Sequence, residues 1–140
     1  AALEAKPEGL SQTCVIAIDI DNFKFVNDQY GHIVGDQVIT MIADQLKRNV
    51  RASDLIVRYG GDEFLIVLEN IQIDAAKAIA ESIRLGVIQE NIMIPSLAKE
   101  IQVSVSIGIA IGANSWLALL EKADQSLLKA KAKGKNVVEG

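Results

Sequence analysis

Four acidic residues stand where they could share a metal ion. Asp19 and Asp21 end an apolar run typical of a buried strand, and Asp62 and Glu63 follow directly on a glycine pair. If the two segments are neighbours in a sheet, three or four carboxylates converge, and a hard cation relieves their mutual repulsion. Two Mg²⁺ ions held in this way would suit phosphoryl or nucleotidyl transfer. The alternative is that strand ends and hairpin tips are acidic because they are solvated.

A second group of polar residues follows the first acids. Asn22-Phe23-Lys24 opens a predicted helix, and the free N–H groups of a helix N-terminus bind phosphate. The alternative is an ordinary helix start with Asn22 as the N-cap. Further along, Asn27 and Asp36 could together read a purine edge, the carboxylate accepting from donors and the amide complementing it. Either residue alone is more often a cap or a solvated side chain.

Lysines concentrate near the C-terminus, at positions 129, 131, 133 and 135. Such a run usually complements the dipole of a helix end. Lys131 and Lys135 are four apart and could face one way, although Gly134 is expected to end the helix between them.

The elements that must position these residues follow from hydrophobic periodicity and turn signals. The glycine pair between two β-rich apolar runs predicts a hairpin, and residues 1–11 resemble a helix tail that turns at Pro7 and Gly9. The predicted order is β-α-α-β-β-α-β-α-β, an α+β domain with a mainly antiparallel sheet. The predicted elements are a strand at 13–19, helices at 22–30 and 35–50, a hairpin within 55–68, a helix at 74–89, a strand at 101–111, a helix at 115–133 and a strand at 136–138.

Composition limits the function classes. The chain has 140 residues, half of them hydrophobic, which fits one domain with a real core. The net charge is 14 − 18 = −4, so we expect no general binding to nucleic acid. No apolar run reaches 18 residues, so we expect no membrane contact by this domain. The single cysteine, Cys14, excludes an internal disulfide and is predicted to be buried and inert.

Five motifs in a fixed order resemble the GGDEF-domain diguanylate cyclases. They span most of residues 13–138 and are DIDNFKFVND at 19–28, GHIVGD at 31–36, RYGGDEF at 58–64, SVSIG at 104–108 and AKAKGKN at 130–136. The resemblance implies a five-stranded sheet wrapped by helices, with the ferredoxin-like core of the adenylyl cyclase and polymerase palm. It also implies the condensation of two GTP into cyclic di-GMP with release of pyrophosphate, in a head-to-head homodimer where each half holds one GTP.

The resemblance further implies roles for individual residues. Asp19, the Ile20 carbonyl and Glu63 would hold the metals, Mg²⁺ or Mn²⁺, two in each half-site. Asp62 would share in metal binding or help to deprotonate the 3′-hydroxyl.

Other positions would contact the nucleotide. The backbone from Asn22 to Lys24, Phe23 included, would cradle the β- and γ-phosphates, and Lys131 and Lys135 would meet the terminal phosphates. Asn27 and Asp36 would bind the guanine edge, and His32 would order the loop from Gly31 to Gly35. Gly60 and Gly61 would let the ligand approach the backbone closely. Lys24 and Arg58 would assist catalysis.

Arg51 and Asp54 match the family's inhibitory site for the product, since an arginine fork pairs with phosphate and guanine acceptors. The alternative is that the pair only closes a loop. Three positions differ from the usual pattern: Lys135 where arginine is common, Leu128 where tyrosine is usual, and Ser82 where some members have an inhibitory-site arginine.

The whole chain, 1–140, is expected to be one cytoplasmic GGDEF domain taken from a longer bacterial signalling protein with a sensor or regulatory domain. A second interpretation is a catalytically weak module that binds GTP or cyclic di-GMP and regulates its neighbour.

Overall fold

The computed structural model describes residues 12–140, so the helix tail and turn predicted within 1–11 lie outside the described residues. Seven strands and four α-helices follow one another, with a short 3₁₀ helix between β4 and β5. The elements are β1 (Thr13–Ile20), α1 (Phe23–Tyr30), α2 (His32–Asn49), β2 (Leu55–Arg58), β3 (Glu63–Glu69), α3 (Ile73–Gln89), β4 (Ile92–Ile94), β5 (Lys99–Ile101), β6 (Val105–Ile111), α4 (Trp116–Ala132) and β7 (Val138–Glu139).

Five strands form the main sheet in the order β2-β3-β1-β6-β7. All pairs are antiparallel except β6 with β7, which confirms the predicted α+β class and the mainly antiparallel sheet. β1 lies in the centre and all eight of its residues are buried, as its continuous apolar sequence requires. The register pairs Asp19 with Glu63 on one side of β1 and with Ser106 on the other.

Helices cover both faces of the sheet. Ile16, Ile18 and Ile20 face the larger core, which is shared with α2 and α3, while Val15 and Ala17 face α4. This alternation is the period of two expected of a strand. A glycine in β6, Gly108, lets α4 approach closely, because a Cβ there would collide with the backbone of Leu127. The sheet is therefore held rigidly from both sides, and its end can position charged groups.

The structure corrects three predicted boundaries. The strand expected at 101–111 is two strands, because Ile101 belongs to a separate hairpin of β4 and β5, and only 105–111 joins the main sheet. That hairpin was not predicted: its strands have three residues each, and β5 is mostly exposed, so they carry little hydrophobic signal. Helix α2 begins at His32 rather than at residue 35, and the last strand is Val138–Glu139. Within residues 12–140, no helix has the length and apolarity needed to cross a bilayer.

Candidate active site

Three of the four acids meet at one end of the sheet. Asp19, Asp62 and Glu63 each place a carboxylate oxygen within 4.8 Å of the others. The register that pairs β1 with β3 causes this convergence, and the Ile20 amide fixes the hairpin tip by donating to the Asp62 carbonyl at 3.0 Å. Asp19 is buried, whereas Asp62 and Glu63 are partly buried. The prediction that the first strand lies beside the hairpin is confirmed.

The electrostatics of these acids favour a cation. Burial raises the pKa of Asp19, and the neighbouring Asp62 raises it further, although Lys131 pairs with one Asp19 oxygen. Burial and the charges of Asp19 and Asp62 likewise raise the pKa of Glu63. The second oxygen of Asp19, Oδ1, is buried and has no hydrogen-bond partner among residues 12–140. An all-oxygen donor set with an unsatisfied buried oxygen fits a hard divalent ion.

Asp21, the fourth acid, does not join the cluster. Its carboxylate accepts hydrogen bonds from the hydroxyls of Ser104 and Ser106, both at 2.6 Å, and from the Asn136 amide at 3.0 Å. The expectation of three or four converging carboxylates therefore resolves to three. Sequence reasoning did not assign these partners of Asp21, although the alternation Ser104-x-Ser106 places both hydroxyls on one side of a strand.

Hydrogen bonds among its own residues hold the hairpin tip in place. Gly60 has φ +88°, a left-handed conformation that glycine adopts without steric cost. The Tyr59 amide donates to the Glu63 carbonyl at 2.7 Å, and Arg58 donates from Nη2 to the Gly61 carbonyl at 2.8 Å. Arg58 thus contacts the tip that carries the acids rather than the acids themselves.

A cleft of about 220 Å³ opens beside the acids. Asn22, with φ +58°, is at the N-cap position of α1 but makes no side-chain capping bond; its Oδ1 instead accepts from Lys135 Nζ at 2.8 Å. Lys131, in the last turn of α4, reaches the same cleft although the helix ends between the two lysines. The lining residues are Asp19, Ile20, Asp21, Asn22, Phe23, Lys24, Asp62, Lys131 and Lys135.

Lys24 is at the mouth of this cleft, but its side chain is 91% exposed and pairs with Asp28 one turn along α1, at 3.3 Å. The Lys24 ammonium group is thus held by Asp28, while the Lys24 backbone lies in the first turn of the helix beside the cleft.

The residues predicted to read guanine lie on the two helices that follow β1. The side chain of Asn27 packs against Gly35, where a Cβ would collide with its Oδ1. Asp36 is the next residue, is exposed, and borders a separate groove of about 490 Å³ along α2. His32 is the exposed first residue of α2. Asn27 and Asp36 are therefore close along the turn between α1 and α2, and both lie outside the lining of the acidic cleft.

Arg51 and Asp54 pair at the opposite end of the sheet. Arg51 donates from Nη2 to Asp54 Oδ1 at 3.0 Å and to the Glu69 carbonyl at 3.2 Å. Glu69 ends the strand that Glu63 begins, and seven residues of strand span about 20 Å. The Arg51 side chain is 57% exposed while that of Asp54 is 2% exposed, so the pair closes its loop and still presents a guanidinium.

Comparison with known proteins agrees with this arrangement. The family described as "Diguanylate cyclase, GGDEF domain" matches residues 2–137. Diguanylate cyclase A of Treponema denticola is 40% identical over 136 residues, which cover 95% of this chain and 35% of that protein. The GGDEF domain of DgcB from Caulobacter crescentus, solved with c-di-GMP, superposes with a TM-score of 0.87 at 31% identity, covering 91% of this chain and 77% of that one. The active GGEEF domain of a diguanylate cyclase from Vibrio cholerae gives 0.82 at 32% identity, covering 92% and 82%.

The fold and the acidic sheet end therefore define the class: the chain belongs to the GGDEF domain family of diguanylate cyclases. The chain spans about a third of the length of the full proteins that it matches.

Proposed function

We propose that this domain is a diguanylate cyclase that condenses two GTP into cyclic di-GMP and releases two pyrophosphates. The observation that carries the proposal is the meeting of Asp19, Asp62 and Glu63, with an unsatisfied buried oxygen on Asp19, at the edge of a cleft that three lysines also line. Acids that can hold a cation and lysines that can meet phosphates, gathered in one small cleft, fit a metal-bound triphosphate.

The acids and the Ile20 carbonyl would hold two magnesium or manganese ions. When bound, these ions supply charge to the transferring phosphate and make the attacking hydroxyl easier to deprotonate. Asp62 is less buried than Asp19 and lies at the hairpin tip, so it is the acid best placed to meet a 3′-hydroxyl brought by another domain. Arg58 would keep the tip in position through the Gly61 carbonyl, next to Gly60 with its left-handed backbone.

The nucleotide would lie with its phosphates in the cleft and its base over α1 and α2. Lys131 and Lys135 would neutralise the terminal phosphates, and the first backbone amides of α1, after Asn22, would donate to them. Asn27 and Asp36 would bind the guanine edge, with the turn between them ordered by the start of α2 at His32.

One domain holds one GTP in this arrangement, so catalysis needs a second copy whose GTP supplies the other half of the reaction. Arg51 and Asp54 would bind the product at the far end of the sheet and hold the two copies apart. That the DgcB domain was solved with c-di-GMP supports product binding by this family.

The test is incubation of the domain with GTP and Mg²⁺, followed by chromatographic separation of the nucleotides. Cyclic di-GMP should accumulate with wild type and fail to accumulate with Asp19→Asn. Glu121→Gln, which neutralises an exposed acid on α4, is the matched control and should keep wild-type activity. GTP that is bound but not consumed would instead identify a regulatory binding module.

A further inference from the structure

The loop after α4 brings Lys135 to the cleft by a strained backbone path. Gly134, Lys135 and Asn136 have φ values of +108°, +67° and +50°, three consecutive residues in the left-handed region. That region costs energy for residues other than glycine, so the surrounding contacts must hold the loop in place.

Asn136 is held by hydrogen bonds with two residues. Its backbone amide donates to the buried carboxylate of Asp21 at 3.0 Å, and its side-chain Oδ1 accepts from Arg84 Nη1 at 3.0 Å. Arg84 Nη1 also donates to the Asn136 carbonyl at 3.5 Å. We call these three residues, Asp21, Asn136 and Arg84, the Asn136 clamp. The clamp joins α3, the loop after α4 and the end of β1, which are distant in sequence.

Arg84 is well suited to act as a fixed anchor. Its side chain is only 18% exposed, and Glu81, one turn earlier on α3, occupies Nε and Nη2 of the guanidinium. A guanidinium is planar, so fixing one edge of its fork also directs the remaining nitrogen. That nitrogen, Nη1, is the one that faces Asn136.

The clamp is directly connected to both walls of the cleft. Asn136 follows Lys135, and Asp21 precedes Asn22, while Lys135 Nζ donates to Asn22 Oδ1 at 2.8 Å. Arg84 itself is not among the residues that line the cleft. Displacement of the loop would therefore move Lys135 and the start of α1, and would leave the guanine side on α1 and α2 in place.

We propose that Arg84 is a positioning residue for the β- and γ-phosphates of the nucleotide, acting through Asn136 and Asp21 on Lys135 and Asn22. The proposal rests on the function proposed above and adds to it a residue outside the cleft. It concerns binding of the polyphosphate and not of guanine.

The first experiment compares Arg84→Met with Lys77→Met, which removes an exposed cation two turns earlier on the same helix. In Arg84→Met, the Kd for GTP with Mg²⁺ should rise about tenfold, on the order of one charge-assisted hydrogen bond. The Kd for GMP, which has no β- or γ-phosphate, should stay within twofold. In Arg84→Met, KM for GTP should also rise by a larger factor than that by which kcat falls. Arg84→Lys should recover part of the lost GTP affinity. Lys77→Met should have the Kd, KM and kcat of wild type.

The second experiment tests the bond itself. Asn136→Gly removes the Oδ1 acceptor and suits the left-handed backbone. If Arg84 and Asn136 act through one contact, their effects on GTP binding should not add. The double variant Arg84→Met/Asn136→Gly should then have a Kd for GTP no higher than that of the single variant with the higher Kd. In Arg84→Met, the amides of Lys135 and Asn136 should exchange hydrogen faster, while those of β1 should not change.

Four results would overturn the proposal. Equal losses for GTP and GMP would show a general structural role, and unchanged exchange at Lys135 and Asn136 would show that Arg84 does not hold the loop. Wild-type binding of GTP by Arg84→Met would refute the positioning role and leave the proposed function intact. If wild type neither binds nor converts GTP, the proposed function fails and this inference fails with it.

Discussion

Neutralising one acid of the cluster should make the metal-free domain more stable and the enzyme inactive. The change is Glu63→Gln, which keeps the size of the side chain and removes one of three neighbouring negative charges. Glu63 is the best choice because, unlike Asp19, it has no ion pair with Lys131 that the substitution would break.

The size of the effect follows from the geometry. The three carboxylates offer oxygens within 4.8 Å of one another, and at that separation two unit charges repel by about 3 kcal/mol at an effective dielectric constant of about 20. Glu63 faces two such charges. Lys131 offsets part of this repulsion, and solvent screens it because Asp62 and Glu63 are only partly buried. We therefore expect a net gain of about 1 kcal/mol without metal, or a rise in Tm of about 3–5 °C.

The assay is thermal unfolding in EDTA and in Mg²⁺. At a Mg²⁺ concentration of about 100 times its Kd, binding adds about 2.7 kcal/mol to the stability of wild type. That exceeds the advantage of the variant, so the order of stability should invert between the two conditions. Turnover by Glu63→Gln should fall by about a hundredfold or more, because catalysis at such a site is mainly electrostatic.

Glu121→Gln is again the control, since an exposed acid on α4 should change stability by less than about 0.5 kcal/mol in either condition. If Glu63→Gln is less stable than wild type in EDTA, or if Mg²⁺ stabilises both proteins equally, then the three carboxylates do not form a shared cation site.

Four further outcomes are expected. The folded state raises the pKa of Asp19 and Glu63 and lowers that of Glu81, so the effect of Glu63 is isolated by comparison with Glu63→Gln. Because ionised Glu63 destabilises the metal-free fold, the stability advantage of Glu63→Gln over wild type should grow as the pH rises above about 4, and an advantage that does not change with pH would contradict the cause assigned to the raised pKa of Glu63. Specific activity should rise with protein concentration from nanomolar to micromolar, because two half-sites must meet; a flat profile would refute the half-site arrangement. Asp36→Ala should raise KM for GTP and reduce the preference over ATP, whereas unchanged selectivity would mean that another residue reads the base. Arg51→Ala should keep the initial rate and abolish the slowing of the progress curve as cyclic di-GMP accumulates, and equal curvature in both proteins would leave Arg51 as a loop closure.

The main sheet could be predicted because its strands carry their own signal. Residues 14–18 of β1 form one buried apolar run, and the glycine pair marks the hairpin that follows. Once β1 pairs with β3, the period of the strands brings Asp19 opposite Glu63. The hairpin of β4 and β5 gave no such signal, because its formation depends on the turn that begins at Pro95 and on Ala98 in a left-handed conformation.

The spacing of the acids alone did not distinguish Asp19 from Asp21, because the two acids are two residues apart at the end of one strand; only the family resemblance assigned the metal to Asp19. The backbone leaves the strand after Ile20 and turns at Asn22, which carries Asp21 towards Ser104 and Ser106. Asp19 remains in the sheet with one oxygen unsatisfied. The acid of the proposed metal site and the structural acid are thus distinguished by hydrogen-bond donors that lie more than 80 residues away in the sequence.

The same reasoning explains why Arg84 was not predicted. The residues around Arg84 have the pattern of an amphipathic helix, and Glu81 stands three residues before it. Such an i,i+3 ion pair is common on helix surfaces and does not indicate a functional role. The contact of Arg84 with Asn136 spans 52 residues and exists only because the loop after α4 takes three left-handed residues in succession. A local pattern identifies groups that could bind a ligand, such as Lys135, but the residues that hold those groups in place become visible only when the chain is folded.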